Sequence, residues 1–501
     1  MPTSWPKRPV IYEINTWVWL QELRRQDGQN VITLDNVPTK QWDDIASLGL
    51  DAVWLMGVWQ RSPKGTDLAI KDKVMTTVFR NALPDYNPGI DNIGSAYCVY
   101  NYEVDERLGG RKGLETAREM LRQRNIRLIL DFVPNHVAQD HAWVFNHPEY
   151  FVQGTKEDLA QFPTRFFQAG EKVIAKGSEK RDFEPWQDVA QLNAFNSELR
   201  KAAIDTLHSI AEQCDGVRCD VAMLLLNSNF EETWGKYVRE HPKKEYWDEV
   251  ISATRSLHPE MLFMAETYWD QEKELQRLGF DYCYDKDHFY DQVRYSNVEN
   301  IRSHLATSFD YQDKLVRFIE NHDEERAAAT FSPEKERMAA VMMMTVPGAK
   351  LLHEGQFEGR KVKTPVALAH RQDEVPDLNL QDFYYKLLRV VKEAGLSTGA
   401  WQLCECSGWA DNSTYLNLVA WCWSQSEERY LVVVNLSQKQ SQGRVQLPWD
   451  KLAGRTWRLV DVLSGDVFER DGNEMQSLGL FVDLPMWGIH FLHAFPFGTG
   501  R

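Results

Sequence analysis

The segment CDGVRCDVAMLLL (214–226) sets Arg218 and Asp220 inside a run that is otherwise mostly apolar. Side chains of a β-strand alternate between its two faces, so Gly216, Arg218 and Asp220 share one wall. The run around them has the character of a strand covered on both faces. Uncompensated charge in such a place costs several kcal/mol, which pairing or function must return. A structural salt bridge and a working pair of charges are both open at this point. Four more apolar segments end in groups of the same kind: IRLILDFVPNH (126–136) with Asp131 and Asn135-His136, LFMAET (262–267) with Glu266, LVRFIENHD (315–323) with Asn321-His322-Asp323, and AKLLHEG (349–355) with His353-Glu354. Three carboxylates (Asp220, Glu266 and Asp323), with one arginine and two histidines, are what retaining glycoside cleavage needs. One carboxylate attacks the anomeric carbon while a second group protonates the leaving oxygen and later activates water, the two lying ~5 Å apart. Asp220, beside Arg218, is expected to stay ionised, as a nucleophile must. Glu266 follows the apolar LFMA and has carboxylates for neighbours, so it is expected to hold a proton and act as the acid/base.

These groups are far apart in sequence, so the elements that carry them must converge. Eight strand-like runs recur with helical patterns between several of them: PVIYEINTWVW (9–19), DAVWLMGVW (51–59), FDYCYDK (280–286) and the five already quoted. Residues 111–125 place Leu114, Ala117, Met120 and Leu121 on one helical face, and Ser332-Pro333 opens a Met-rich helix with an N-cap and a first-turn proline. Eight β-then-α units predict a (β/α)₈ TIM barrel, whose strands carry their chemistry at the C-terminal ends. Two intervals break the rhythm. Residues 137–195, after the third strand, are too long for one helix and loop, which predicts a small inserted domain. From residue 400 to 501 the runs YLNLVAWCW, RYLVVVNLS and GLFVDLPMWGIHFL lack helical periodicity and predict an antiparallel β-sandwich. The barrel is then expected over 1–136 and 196–399.

Composition bounds the partners. The 501 residues are 43% hydrophobic and 26% charged, a globular balance too long for one ordinary core. A net charge of −16 argues against nucleic acid, which demands a basic footprint. No stretch approaches the ~20 apolar residues of a membrane span, and the opening MPTSWPKRPVIYEIN lacks a signal peptide's apolar core. A chain starting there is expected to be cytoplasmic, with no membrane partner. The seven cysteines (98, 214, 219, 283, 404, 406 and 422) form no zinc-like pattern, and an odd count fits a reducing compartment.

In order along the chain, DFVPNH, GVRCD, MAET and FIENHD resemble the four conserved blocks of the α-amylase family, glycoside hydrolase family 13. QLN (191–193) resembles the block closing its inserted domain, and PGAKLLHEGQ its eighth strand. The resemblance covers essentially the whole chain. It implies Asp220 as nucleophile, Glu266 as acid/base and Asp323 as the third carboxylate, gripping sugar hydroxyls. It implies that Arg218 orients the nucleophile and pairs with Asp131, and that His136 and His322 hydrogen-bond the sugar. Tyr97 matches a tyrosine that stacks on that sugar, and Arg326 an arginine found there in α-glucosidase-like members. The chain departs from the family after Asp220, where Val-Ala-Met-Leu lacks the Lys-His of many endo-acting α-amylases; valine there is similar to α-glucosidases. Gln191 stands where an acidic residue often helps bind calcium, with Asn135 a candidate oxygen ligand. No cofactor is expected for catalysis, and a structural calcium is left open without being predicted. The resemblance implies a carbohydrate substrate and hydrolysis of α-glucosidic bonds in small α-glucosides or oligosaccharides. The alternatives are transfer to phosphate or another sugar, as in sucrose phosphorylase-like or amylosucrase-like relatives, or an inactive carbohydrate-binding protein. Three costly converging carboxylates oppose the last. Natural substrate, linkage and oligomeric state are not legible here.

Overall fold

The computed structural model describes residues 4–28, 31–178, 180 and 184–498. Eight parallel strands close into a barrel in sequence order: β1 (Val10–Asn15), β2 (Ala52–Met56), β3 (Arg127–Phe132), β4 (Gly216–Cys219), β5 (Leu262–Ala265), β6 (Tyr282–Tyr284), β7 (Leu315–Arg317) and β8 (Ala349–His353). The TIM barrel and the antiparallel C-terminal sheets predicted from the sequence are both present. Every residue of β2, β3, β4 and β5 is buried, as expected where helices cover one face of a strand and the barrel interior the other.

The chain divides into two compact units, one around Ile11–Tyr284 with Val362–Glu374 and the other around Asp285–Lys361 with the chain from Val375 onward. In the first, β4 sits between β3 and β5 with Arg218 opposite Asp131 and Met264. Helix Gly110–Arg122 buries Leu114, Ala117 and Leu121 on the predicted face. Between β3 and β4, the strand His136–Ala138 pairs antiparallel with Val189–Gln191, and Gln153–Gly154, Lys172–Ala175 and Phe166–Ala169 form a second small sheet. Val137, Val144, Phe151, Ile174, Ala190 and Leu192 supply this insertion with its own core. Within the predicted 137–195 interval, residues 179 and 181–183 lie outside the described residues.

In the second unit, Ser332 caps helix Pro333–Thr345 by accepting from the Lys335 N–H, and Met342–Met344 are buried in it. A six-stranded and a three-stranded antiparallel sheet follow. Leu431, Val433, Leu459 and Ala494 of the first meet Val445, Leu480, Val482 and Leu484 of the second in one core, the layering of a sandwich. Cys404 faces Cys422, with their sulfurs 3.3 Å apart.

The strands are shorter than the apolar runs that announced them. PVIYEINTWVW stops being a strand at Asn15, whose side chain accepts from the Val18 N–H and caps helix Thr16–Asp27. An unbroken apolar run suits a buried helix as well as a buried strand, so Trp17, Val18 and Trp19 carry no signal that separates the two. In DAVWLMGVW the strand breaks at Gly57, whose φ of 76° ends the ladder.

Candidate active site

Arg218 lies next to last in β4 and is fully buried. Its Nη1 donates to Asp220 Oδ1 at 2.6 Å, and its Nη2 lies 2.7 Å from Glu266 Oε2. Asp131 is farther, at 4.0 Å from Nη1. Asp131 is engaged elsewhere: its Oδ2 accepts from the Gly57 N–H at 2.9 Å and its carbonyl from Trp59 Nε1 at 2.8 Å. It therefore fastens the chain beyond β2 to β3 at least as firmly as it pairs with the arginine. The rings of Trp54, Tyr97 and Tyr284 surround the guanidinium at 5.3, 5.1 and 5.8 Å. Burial works against the charge on Arg218, but Glu266 first, then Tyr97, Tyr284 and Asp220, hold it protonated well above the ordinary arginine value.

Glu266 does not sit in the apolar setting that LFMA suggested. Its Oε2 accepts from the Val221 N–H at 2.7 Å as well as facing Arg218, and its Oε1 accepts from the Tyr268 hydroxyl at 2.6 Å. The Val221 contact depends on a left-handed backbone (φ 38°, ψ 47°). For a β-branched residue that conformation is an outlier costing on the order of 1–3 kcal/mol, which the surrounding contacts must offset. It turns the N–H that follows Asp220 toward Glu266 and so ties the ends of β4 and β5 together, as does the bond from Ala222 N–H to the Glu266 carbonyl at 2.9 Å. Sequence reasoning missed Tyr268. The two-residue spacing that singled out Arg218 and Asp220 applies equally to Glu266 and Tyr268 and was the available signal.

The structure therefore brings Arg218, Asp220, Glu266 and Tyr97 together, with Asp131 at the edge of the group. His136 is buried beside Trp186, ring centres 5.0 Å apart, and burial pushes its imidazole down to about 4. It is neutral at pH 7.

In the second unit, the segment after β7 is shaped by Asn321, whose Oδ1 accepts from the Asp323 and Glu324 N–H groups at 2.9 Å each. His322 Nε2 lies 2.9 Å from Asp323 Oδ2. The histidine side chain is buried, whereas that of Asp323 is 44% exposed, as a group that meets a ligand must be. Arg326 was expected among the sugar contacts, but the structure buries it in a clamp. Its Nη1 donates to Glu320 Oε1 at 2.6 Å, His353 Nδ1 at 2.8 Å and the Glu354 carbonyl at 2.9 Å. Glu320 Oε2 accepts from the Ala327 N–H at 2.8 Å. Burial raises the Glu320 carboxyl, but Arg326 and His353 outweigh it and hold the group below the usual carboxylate range. The His322–Asp323 loop is thus closed at both ends by buried, charge-assisted bonds.

Asn135, the candidate oxygen ligand for calcium, is bonded to Gln191, which stands where an acidic residue often is, and Gln191 donates to the oxygens a cation would require. The donor set does not fit a calcium ion.

Comparison with known proteins gives concordant results. A family model described as "Alpha amylase, catalytic domain" matches residues 18–421. Alpha-amylase MalA of Haloarcula japonica is 24% identical over 366 residues, which is 72% of this chain but 45% of that protein, so the chain spans about half of this relative's length. A probable oligo-1,6-glucosidase of Bacillus subtilis is 21% identical over 447 residues, covering 77% of this chain and 70% of its own. Among solved structures, the maltogenic alpha-amylase AmyB of Thermotoga neapolitana superposes with a TM-score of 0.67 at 18% identity, over 97% of this chain and 98% of that one. The Geobacillus thermoleovorans alpha-amylase complexed with acarbose gives 0.67 at 18% identity, over 98% and 99%. At those identities the structural likeness establishes the fold.

Proposed function

The chain belongs to the α-amylase family, and from that premise we propose that it hydrolyses α-glucosidic bonds in small α-glucosides or oligosaccharides with retention of anomeric configuration. The observation that carries this reading is the double pairing of Arg218. One guanidinium holds Asp220 at 2.6 Å and Glu266 at 2.7 Å, which draws together the two carboxylates that retaining cleavage uses as nucleophile and acid/base.

Roles follow from the contacts. Arg218 grips Asp220 Oδ1 and so orients the carboxylate, which attacks the anomeric carbon and forms a glycosyl ester as the bond to the leaving oxygen breaks. Glu266 delivers its proton to that oxygen; once the leaving group has gone, the carboxylate takes a proton from water, which attacks the ester and frees Asp220. The fixed positive charge of Arg218 faces whichever of the two carboxylates is ionised at each stage, without moving during the reaction. Asp323 is the third carboxylate, which grips sugar hydroxyls, and the bond to His322 orients it. Tyr97 supplies a ring face for the sugar, and neutral His136 supplies a hydrogen bond whose strength does not change between pH 5 and 8. Relatives named as a probable oligo-1,6-glucosidase and a trehalose-6-phosphate hydrolase are consistent with a small substrate.

Two measurements test this. Early products from maltose, isomaltose, maltooligosaccharides, starch, sucrose and trehalose, with and without phosphate, are expected to be free α-anomeric glucose or short oligosaccharides that are indifferent to phosphate. A fluorinated glucosyl fluoride is expected to label the peptide that contains Asp220. A β-anomer as first product, or a label on another residue, refutes the mechanism. A sugar phosphate refutes hydrolysis.

A further inference from the structure

The inserted segment leaves the barrel at Asn135–His136 and returns through Val189–Gln191, with Gln191 paired opposite His136. One side chain closes this junction. Gln191 is fully buried, and its Nε2 donates to three oxygens: Asn135 Oδ1 at 2.9 Å, the Asn135 carbonyl at 3.0 Å and the Leu192 carbonyl at 3.1 Å. Its Oε1 accepts from the Ser178 N–H at 3.4 Å and from the Asn135 amide at 3.5 Å. Chemistry fixes which end is which. A backbone carbonyl only accepts and a backbone N–H only donates, so exchanging the two ends of the amide would set oxygen against two carbonyls and nitrogen against an N–H.

Three oxygens converging on one point are what a hard cation collects as ligands, at about 2.3–2.6 Å for calcium. At this junction the point of convergence holds a neutral NH₂ group. The two N–H donors of the amide are shared among the three oxygens without taking charge into a buried place, whereas a dication there calls for carboxylates that Asn135, Gln191 and Leu192 do not have. The calcium that the family resemblance associates with Asn135 and an acidic residue at 191 therefore has no room here. We propose that Gln191 is a built-in replacement for that ion: its amide nitrogen occupies the cation's position and clasps the start of the insertion to its end. The clasp fixes the backbone that carries His136, so this chain needs no metal at the junction.

Thermal unfolding in excess calcium and in EDTA, together with terbium luminescence sensitised by nearby tryptophan such as Trp186, tests the clasp. The natural protein is expected to unfold at the same temperature in calcium and in EDTA and to give no sensitised terbium emission. Gln191→Asp removes the N–H donors, shortens the side chain by one methylene and supplies a carboxylate beside the three oxygens. It is expected to unfold several degrees lower in EDTA, to recover in calcium but not in sodium of equal ionic strength, and to gain terbium emission. Gln191→Glu, which keeps the chain length, is expected to respond to calcium in the same direction. An unfolding temperature of the natural protein that differs between calcium and EDTA overturns the proposal, as does an aspartate variant equally destabilised in both. The first measurement needs no variant, so the proposal is decided even if neither substitution folds.

Discussion

Replacing Arg218 by methionine removes one charge and keeps most of the volume, and its effect follows from the contacts. Arg218, with none of its surface exposed, sits between Asp220 at 2.6 Å and Glu266 at 2.7 Å. At an effective dielectric of about 20, unit charges ~4 Å apart attract by about 4 kcal/mol, so two such contacts are worth roughly 8 kcal/mol before the arginine's own desolvation is charged against them. Removing one member of a buried ion pair costs a net 3–5 kcal/mol or so, because the remaining charges are left uncompensated. Arg218→Met is therefore expected to lower the unfolding free energy by about 3–5 kcal/mol at pH 7.5, read from urea titrations followed by tryptophan fluorescence. A deficit under about 1 kcal/mol would show that the arginine is not what balances these carboxylates, and the proposed roles of Asp220 and Glu266 would lose their main support.

Asp220→Asn and Glu266→Gln are each expected to abolish turnover while circular dichroism shows the fold intact; near-normal rates in either would sink the assignment. Tyr268→Phe removes a hydrogen bond of about 1 kcal/mol to Glu266 and is expected to lower kcat about fivefold, with a larger loss on alkyl than on nitrophenyl glucosides; an equal loss on both would make Tyr268 merely structural. His136 is held at about 4 by burial, below the ordinary value of about 6.5. The unfolded chain therefore takes up its proton first, and the stability due to neutral His136 is present above pH 6.5 and lost as pH falls toward 4, by up to about 3 kcal/mol. Histidine NMR should show a titration midpoint near 4, and one above 6 would contradict the burial.

Periodicity and chemistry together made the barrel legible before any coordinates, because each strand has to bury an apolar face and then end in the polar groups that the rim uses. The same logic singled out Asp220, Glu266 and Asp323, since residues two apart or at a strand end can share a wall, and the structure sets the first two on Arg218. It failed wherever a side chain's environment is assembled from distant segments. Glu266 follows an apolar run, yet in space it meets Arg218 and the Val221 N–H from one strand away, which no local pattern encodes. Arg326 stands three residues past the FIENHD motif but is captured by Glu320 and His353, the latter 27 positions downstream. Gln191 was legible only as a missing acid, and its three donated bonds depend on a register that brings residues 135 and 191 together. Sequence therefore announces which groups are costly enough to need a reason, whereas the reason itself, whether pairing, clamp or clasp, is a property of the partners that the fold supplies. A charge or amide that a strand pattern flags should for that reason be tested by removing its partner as well as the residue itself. At this site Arg218, which touches both carboxylates, is the partner whose loss separates structural pairing from chemistry.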